Sequence, residues 1–255
     1  MSIYFSALYS ALMLIVIIYT LNLGLSFLSR MGFKQYQSNY KLLLPFALIG
    51  VVIHELSHLI VGLVFNHKIS NLQLFSFKDK GTWSGFVEFE FNSRNFYHAL
   101  GQYFIGVAPV IVALIIHYLA FSIVSPEIFQ TIFTASMNLH LINISQLWSG
   151  LIEPYQIVAI SNMIIIFVAF SALLFSSMSK LDIRMSLKGL VTLVLLTLIS
   201  LSFVNLISTS LLNHIVFYLQ FSNYVLIHSF LVSLPYFIVF ILVGWAARKI
   251  RYVIR

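Results

Sequence analysis

Nine consecutive residues stand out for the chemistry they could do together: Val52-Ile53-His54-Glu55-Leu56-Ser57-His58-Leu59-Ile60. The core of this run is H-E-x-x-H. On a helix, positions i and i+4 share a face, so His54 and His58 can both offer a ring nitrogen to one metal ion. Glu55 is next to the first of them, within reach of a water at that metal. Zinc held this way makes water acidic near neutral pH, and the Glu can take its proton and later return it to a leaving amine. With 8 His in 255 residues, and few acids, random placement would produce the pattern roughly 0.005 times, so chance is a poor account of it.

A catalytic zinc usually has three protein ligands and one open position. The remaining acids are Asp79, Glu88, Glu90, Glu127, Glu153 and Asp182, and the remaining histidines are His67, His98, His117, His140, His214 and His228. Asp182 leads as third ligand, followed by His98 and then the pair Glu88 and Glu90. It lies in Ser179-Lys180-Leu181-Asp182-Ile183-Arg184 and is the only acid in the last 100 residues. Its competing reading is a surface carboxylate paired with Lys180 or Arg184.

The elements that must position these residues are membrane helices. Hydrophobic residues make up 60% of the chain and charged residues 8%, against about 25% charged in an ordinary soluble domain. Mean hydropathy is +0.99. These values exclude a soluble globular enzyme and a disordered tail. The absence of cysteine excludes a disulfide scaffold. The fold class is an all-α polytopic membrane protein forming a single domain, with about six spans. They are expected at Tyr4–Leu28, Leu42–Phe65, Ala99–Val124, Ile157–Met178, Leu190–Leu212 and Val225–Ala247. The segment 128–150 is apolar enough to be a further candidate. The metal motif falls in the second span, with His58 about 7 residues, or roughly 10 Å, from its far end. No Lys or Arg in that span can neutralise Glu55, and an unpaired charge within a bilayer costs several kcal/mol.

The net charge of +7 could suggest nucleic acid, but the basic residues sit in small groups between and after apolar stretches, as orientation signals do. Eleven lie after the second, fourth and sixth spans and three on the opposite side, which puts both termini in the cytoplasm and leaves the loops around 125–153 and 213–224 outside. A bacterial cell membrane is the expected location, and the bilayer the expected surroundings. No nucleic-acid partner is expected.

Between the second and third spans, Ile69–Phe91 does not read as helix. Val87, Phe89 and Phe91 alternate with Glu88 and Glu90, a strand period, after the turn-rich Lys78-Asp79-Lys80-Gly81. A membrane-associated β-hairpin is expected over 69–91. Its edge at Val87, Phe89 and Phe91 could receive an extended peptide by main-chain pairing.

The chain resembles the site-2 protease family of intramembrane zinc metalloproteases. The resemblance rests on His54-Glu55-Leu56-Ser57-His58 within a membrane helix. It extends through the β-rich segment to Gly101-Gln102-Tyr103-Phe104-Ile105-Gly106-Val107-Ala108-Pro109, covering about residues 42–124. It implies one Zn²⁺ per chain, held by His54 and His58, with Glu55 as catalytic base and membrane-anchored proteins or peptides as substrates. The family's third ligand is an Asp on a later helix, commonly in an Asn/Pro-rich stretch ending Leu-Asp-Gly. Here Leu181-Asp182 is followed by Ile183 and the Asn/Pro stretch is absent, which marks a divergent branch. The competing class is a transporter or metal-binding membrane partner without proteolysis, in which the same cluster carries protons or a metal.

Overall fold

The structure, a computed structural model, describes residues 3–78, 82–92, 94–139, 141 and 160–253. It is an all-α membrane protein with one small sheet. The order is α1 (Ile3–Tyr36), a 3-10 segment (Gln37–Leu43), α2 (Leu44–Val64), β1 (Lys68–Lys78), β2 (Thr82–Glu90), α3 (Phe96–Val124), α4 (Pro126–Met137), α5 (Ile160–Leu174), α6 (Lys180–Ile207) and α7 (Thr209–Val253). Among the described residues five helices are long and apolar enough to cross a bilayer, and α5 is a shorter apolar helix of 15 residues. Helices dominate because hydrocarbon offers backbone groups no partner, so each span must satisfy its own N–H and C=O groups.

Several boundaries differ from the sequence expectation. Helix α1 runs on to Tyr36, since nothing in the expected end at Leu28 breaks a helix. Helix α6 starts at Lys180, ten residues before the expected Leu190. The stretch 213–224, read above as an external loop, is helix inside α7. It contains polar residues but no Gly or Pro, so no breaker interrupts the turn-by-turn hydrogen bonding. The described part of 128–150 is the end of α4, whose 12 residues span about 18 Å, short of a crossing, followed by the non-helical Asn138, Leu139 and Leu141. The turn residues Asp79, Lys80 and Gly81, the expected start of the fourth span at Ile157, His140 and Glu153 lie outside the described residues.

Helix α3 is the axis of the bundle: more than half of its 29 residues are buried, and α2, α4, α5, α6 and α7 all pack on it. Val107, Val110 and Leu114 of α3 meet Leu173 and Leu174 of α5 and Phe237 of α7 in the main core. Helix α1 lies along α7.

The β-hairpin forms as expected. β1 and β2 pair antiparallel, with Ile69 opposite Phe89, Leu72 opposite Val87 and Phe77 opposite Trp83. The chain leaves α2 through Asn66 at φ 58°, a left-handed position that Asn tolerates. The register slips between Gln73 and Ser76, so Leu74 and Phe75 of β1 share the place opposite Gly85 of β2. That is a β-bulge, a device common beside active sites because it re-aims the chain.

Candidate metal centre

Two helices, α2 and α6, bring His54, His58 and Asp182 together. His54 and His58 stand one turn apart on α2. Asp182 is in the first turn of α6, fixed there by a capping box: Ser179 N–H donates to Asp182 Oδ2 (2.7 Å), and Asp182 N–H donates to Ser179 Oγ (3.2 Å). The ligand atoms lie close. His54 Nε2 and His58 Nε2 are 3.2 Å apart, His58 Nε2 is 3.3 Å from Asp182 Oδ1, and His54 Nε2 is 3.6 Å from Asp182 Oδ2. For a tetrahedral zinc with ligands near 2.0–2.1 Å, the ligand-to-ligand edge is about 3.3 Å. The separations of 3.2 and 3.3 Å lie close to that edge, and the 3.6 Å contact of His54 is to the second carboxylate oxygen.

The protonation pattern strengthens the fit. His54 Nδ1 donates to the Phe175 carbonyl at 2.8 Å, and His58 Nδ1 donates to the Ile105 carbonyl at 2.8 Å. Carbonyls only accept, so each neutral ring keeps its proton on Nδ1 and turns a bare Nε2 lone pair inward. Two lone pairs and a carboxylate therefore converge on one point, with His58 and Asp182 only 4% and 5% exposed. Acceptors cannot satisfy one another. A cation at their centre satisfies all three, and ring N–H to backbone carbonyl is the usual outer support of a metal-bound His. His54, His58 and Asp182 are a group able to hold a metal ion.

Glycines allow the backbones to come this close. A Cβ on Gly50 of α2 would strike the Ser171 carbonyl of α5, and one on Gly106 of α3 would strike the Asp182 carbonyl of α6. A Cβ on Gly85 of β2 would strike the Glu55 side chain. The hairpin thus lies directly on the acid next to the ligands, and Glu55 is buried between α2 and β2. Further along, Phe89 packs on Gly62, so Trp83, Gly85, Val87 and Phe89 form the face that follows α2.

The other sequence candidates sit elsewhere. His98 accepts the Asn92 N–H on Nδ1, and its carbonyl accepts His67 Nε2–H at 3.2 Å. The two rings stack with centroids 4.8 Å apart, joining the hairpin to α3, and burial holds the pKa of His67 below its ordinary value. Glu88 and Glu90 are on the exposed face of β2, where Glu90 pairs with Lys68 at 2.8 Å. Phe91 lies just past the strand and is exposed, whereas Val87 and Phe89 turn toward the helices. Neither Lys180 nor Arg184 forms an ion pair with Asp182 among the described residues.

Sequence reasoning missed the backbone supports. Phe175 and Ile105 act through carbonyls, and Asn22 of α1 accepts the Met178 N–H at 2.8 Å, pinning the segment between α5 and α6. One signal was available, because Ser179-x-x-Asp182 has the spacing of a helix-start capping box. Comparison with known proteins finds no family model, no curated protein and no solved structure that matches this chain.

Proposed function

We propose that the chain is an intramembrane zinc metalloprotease of the site-2 type, hydrolysing peptide bonds within or next to membrane spans of anchored proteins or peptides. The observation that carries this reading is the convergence of His54 Nε2, His58 Nε2 and the Asp182 carboxylate, with both Nδ1 atoms turned to backbone carbonyls and Glu55 alongside. Zinc bound there would supply Lewis acidity, polarising a scissile carbonyl and making water a competent nucleophile near neutral pH.

The protein's own groups supply the rest. The two Nδ1–H to carbonyl bonds hold both rings in the ligating tautomer. Glu55 takes the proton of the attacking water and hands it to the leaving amine nitrogen. Its burial under Gly85 keeps bulk water from competing for that proton. Substrate would bind as an extended strand: among the described residues β2 has a strand partner on one edge only, so its other edge offers main-chain groups. Val87 and Phe89 would set that edge against α2 and Phe91 would extend it, which places the peptide along the same line as Glu55.

The orientation that fits the basic residues has both termini in the cytoplasm, in a bacterial cell membrane. His58 lies six residues, or about 9 Å, from the end of α2 at Val64, near enough to the membrane surface for water to reach.

The test uses full-length protein in detergent, with zinc measured by atomic absorption beside cleavage of a membrane-anchored reporter in proteoliposomes. Wild type should hold one zinc and cleave. Glu55→Gln should hold the same zinc and cleave about 10²–10⁴-fold more slowly. Zinc without cleavage in wild type would favour the transporter or metal-binding partner; no zinc after reloading would end the metalloprotease reading.

A further inference from the structure

In an α-helix each carbonyl accepts from the N–H four residues further on. Four residues after Ile105 stands Pro109, which has no N–H. The Ile105 carbonyl is therefore deprived of its helical donor in the middle of α3, where every residue from Ile105 to Val110 is buried. The donor it does have is His58 Nδ1, at 2.8 Å. A proline inside a membrane helix is tolerated when a neighbouring group takes up the freed backbone partner. Here that neighbour is one of the proposed zinc ligands.

We infer that Pro109 is a positioning residue for the metal: by withholding an N–H from Ile105 it reserves that carbonyl for His58. The consequence reaches the site in two steps. The reserved carbonyl fixes the proton of His58 on Nδ1 and sets the tilt of its ring, and both aim the Nε2 lone pair at Asp182 and His54. Gly106 serves the same stretch differently, by letting the backbone of α3 approach that of Asp182. The segment Ile105–Pro109 thus touches two of the three ligands while contributing none itself. The inference rests on the zinc reading above and deepens it.

Its test is a zinc titration of the full-length, metal-stripped protein in detergent micelles, in competition with a chromophoric chelator. Pro109→Ala supplies the missing N–H, which competes with His58 for the Ile105 carbonyl. Zinc affinity should fall ten- to hundredfold, the usual cost of losing an outer-shell partner. The thermal midpoint of the zinc-free protein should hold or rise, because Ala is the better helix former. Replacing Pro109 by lactic acid, the α-hydroxy acid of alanine, removes both the ring and the N–H and should return affinity to near the wild-type value. Pro235→Ala, in α7, should leave zinc affinity unchanged. Equal affinity in wild type and Pro109→Ala overturns the inference. So does a lactic-acid variant as weak as Pro109→Ala, since the ring and not the missing N–H would then matter. A wild type that binds no zinc overturns the zinc reading itself, and this inference with it.

Discussion

Two regions of the bundle bury histidine, and they do so differently. At one end His54 and His58 point bare Nε2 atoms at each other and at a carboxylate. About 18 Å further along α3, twelve residues beyond Ile105, His117 donates its Nδ1–H to Ser229 Oγ at 3.3 Å, and Ser229 donates in turn to the Leu114 carbonyl at 2.8 Å. Nearby, His228 pairs with Ser136 at 3.0 Å. A hydroxyl can donate or accept, so it adapts to whichever tautomer the ring takes. The His–Ser pairs therefore link helices through hydroxyls and need no ion. The first cluster has no hydroxyl, and its acceptors balance only around a cation, either a metal ion or a proton added to one ring beside Asp182. A histidine in a membrane helix is thus weak evidence of function; lone pairs converging with a carboxylate are strong.

The sharpest way to break this contrast is Asp182→Asn. The side chain keeps its shape and an oxygen for the Ser179 N–H, so the start of α6 should survive. The carboxylate charge does not, and zinc affinity should fall by at least about a hundredfold, beyond the range of an outer-shell loss. The measurement is the chelator-competition titration on full-length protein. Undiminished affinity would remove Asp182 from the ligand set and send the search for a third ligand to His98 and the pair Glu88 and Glu90.

A smaller effect should come from the glycines. Gly106→Ala would drive a methyl into the Asp182 backbone, and Gly244→Ala would drive one into the Tyr36 ring, where its Cβ would lie 2.6 Å from Cε2. Each overpacks a helix contact and should cost about 1–3 kcal/mol in thermal unfolding of the zinc-free protein. Only Gly106→Ala should also weaken zinc, because only that contact moves a ligand. If both variants weakened zinc alike, the metal end would be responding to overall stability and the contrast would lose its force.

How much of this could be read from the chain depends on which atoms act. His54, Glu55 and His58 were legible because side-chain chemistry at fixed helical spacing is written in residue types. The hairpin was legible because Val87, Glu88, Phe89 and Glu90 alternate. The start of α6 was misplaced because Lys180, Asp182, Arg184 and Lys188 resemble a polar loop. The capping box at Ser179 and Asp182 makes them the first turns of a helix. The same Asp therefore both starts the helix and faces the histidines, two roles that composition alone does not separate. The supports from Phe175 and Ile105 were hidden because a carbonyl looks the same at every residue. Pro109 is the exception, since a proline announces which carbonyl it leaves without a donor.

The mildest prediction concerns the other end. Ser229→Ala removes the oxygen that accepts from His117 and the hydroxyl that donates to Leu114. Both partners are buried: His117 is 3% exposed and Leu114 1%. Even in water-excluded surroundings the loss is small: hydrogen bonds between membrane helices average only about 0.6 kcal/mol, because the separated helices find other partners. Reversible unfolding of the full chain in mixed micelles should show a loss of that order, with zinc affinity and reporter cleavage unchanged. A drop in zinc affinity would mean that α3 transmits strain from His117 to Ile105, and the two ends would then be one cooperative unit. An unchanged affinity keeps them separate: one end a set of His–Ser cross-links, the other a charge-seeking cluster whose geometry is set locally by Pro109, Gly106 and the cap at Ser179.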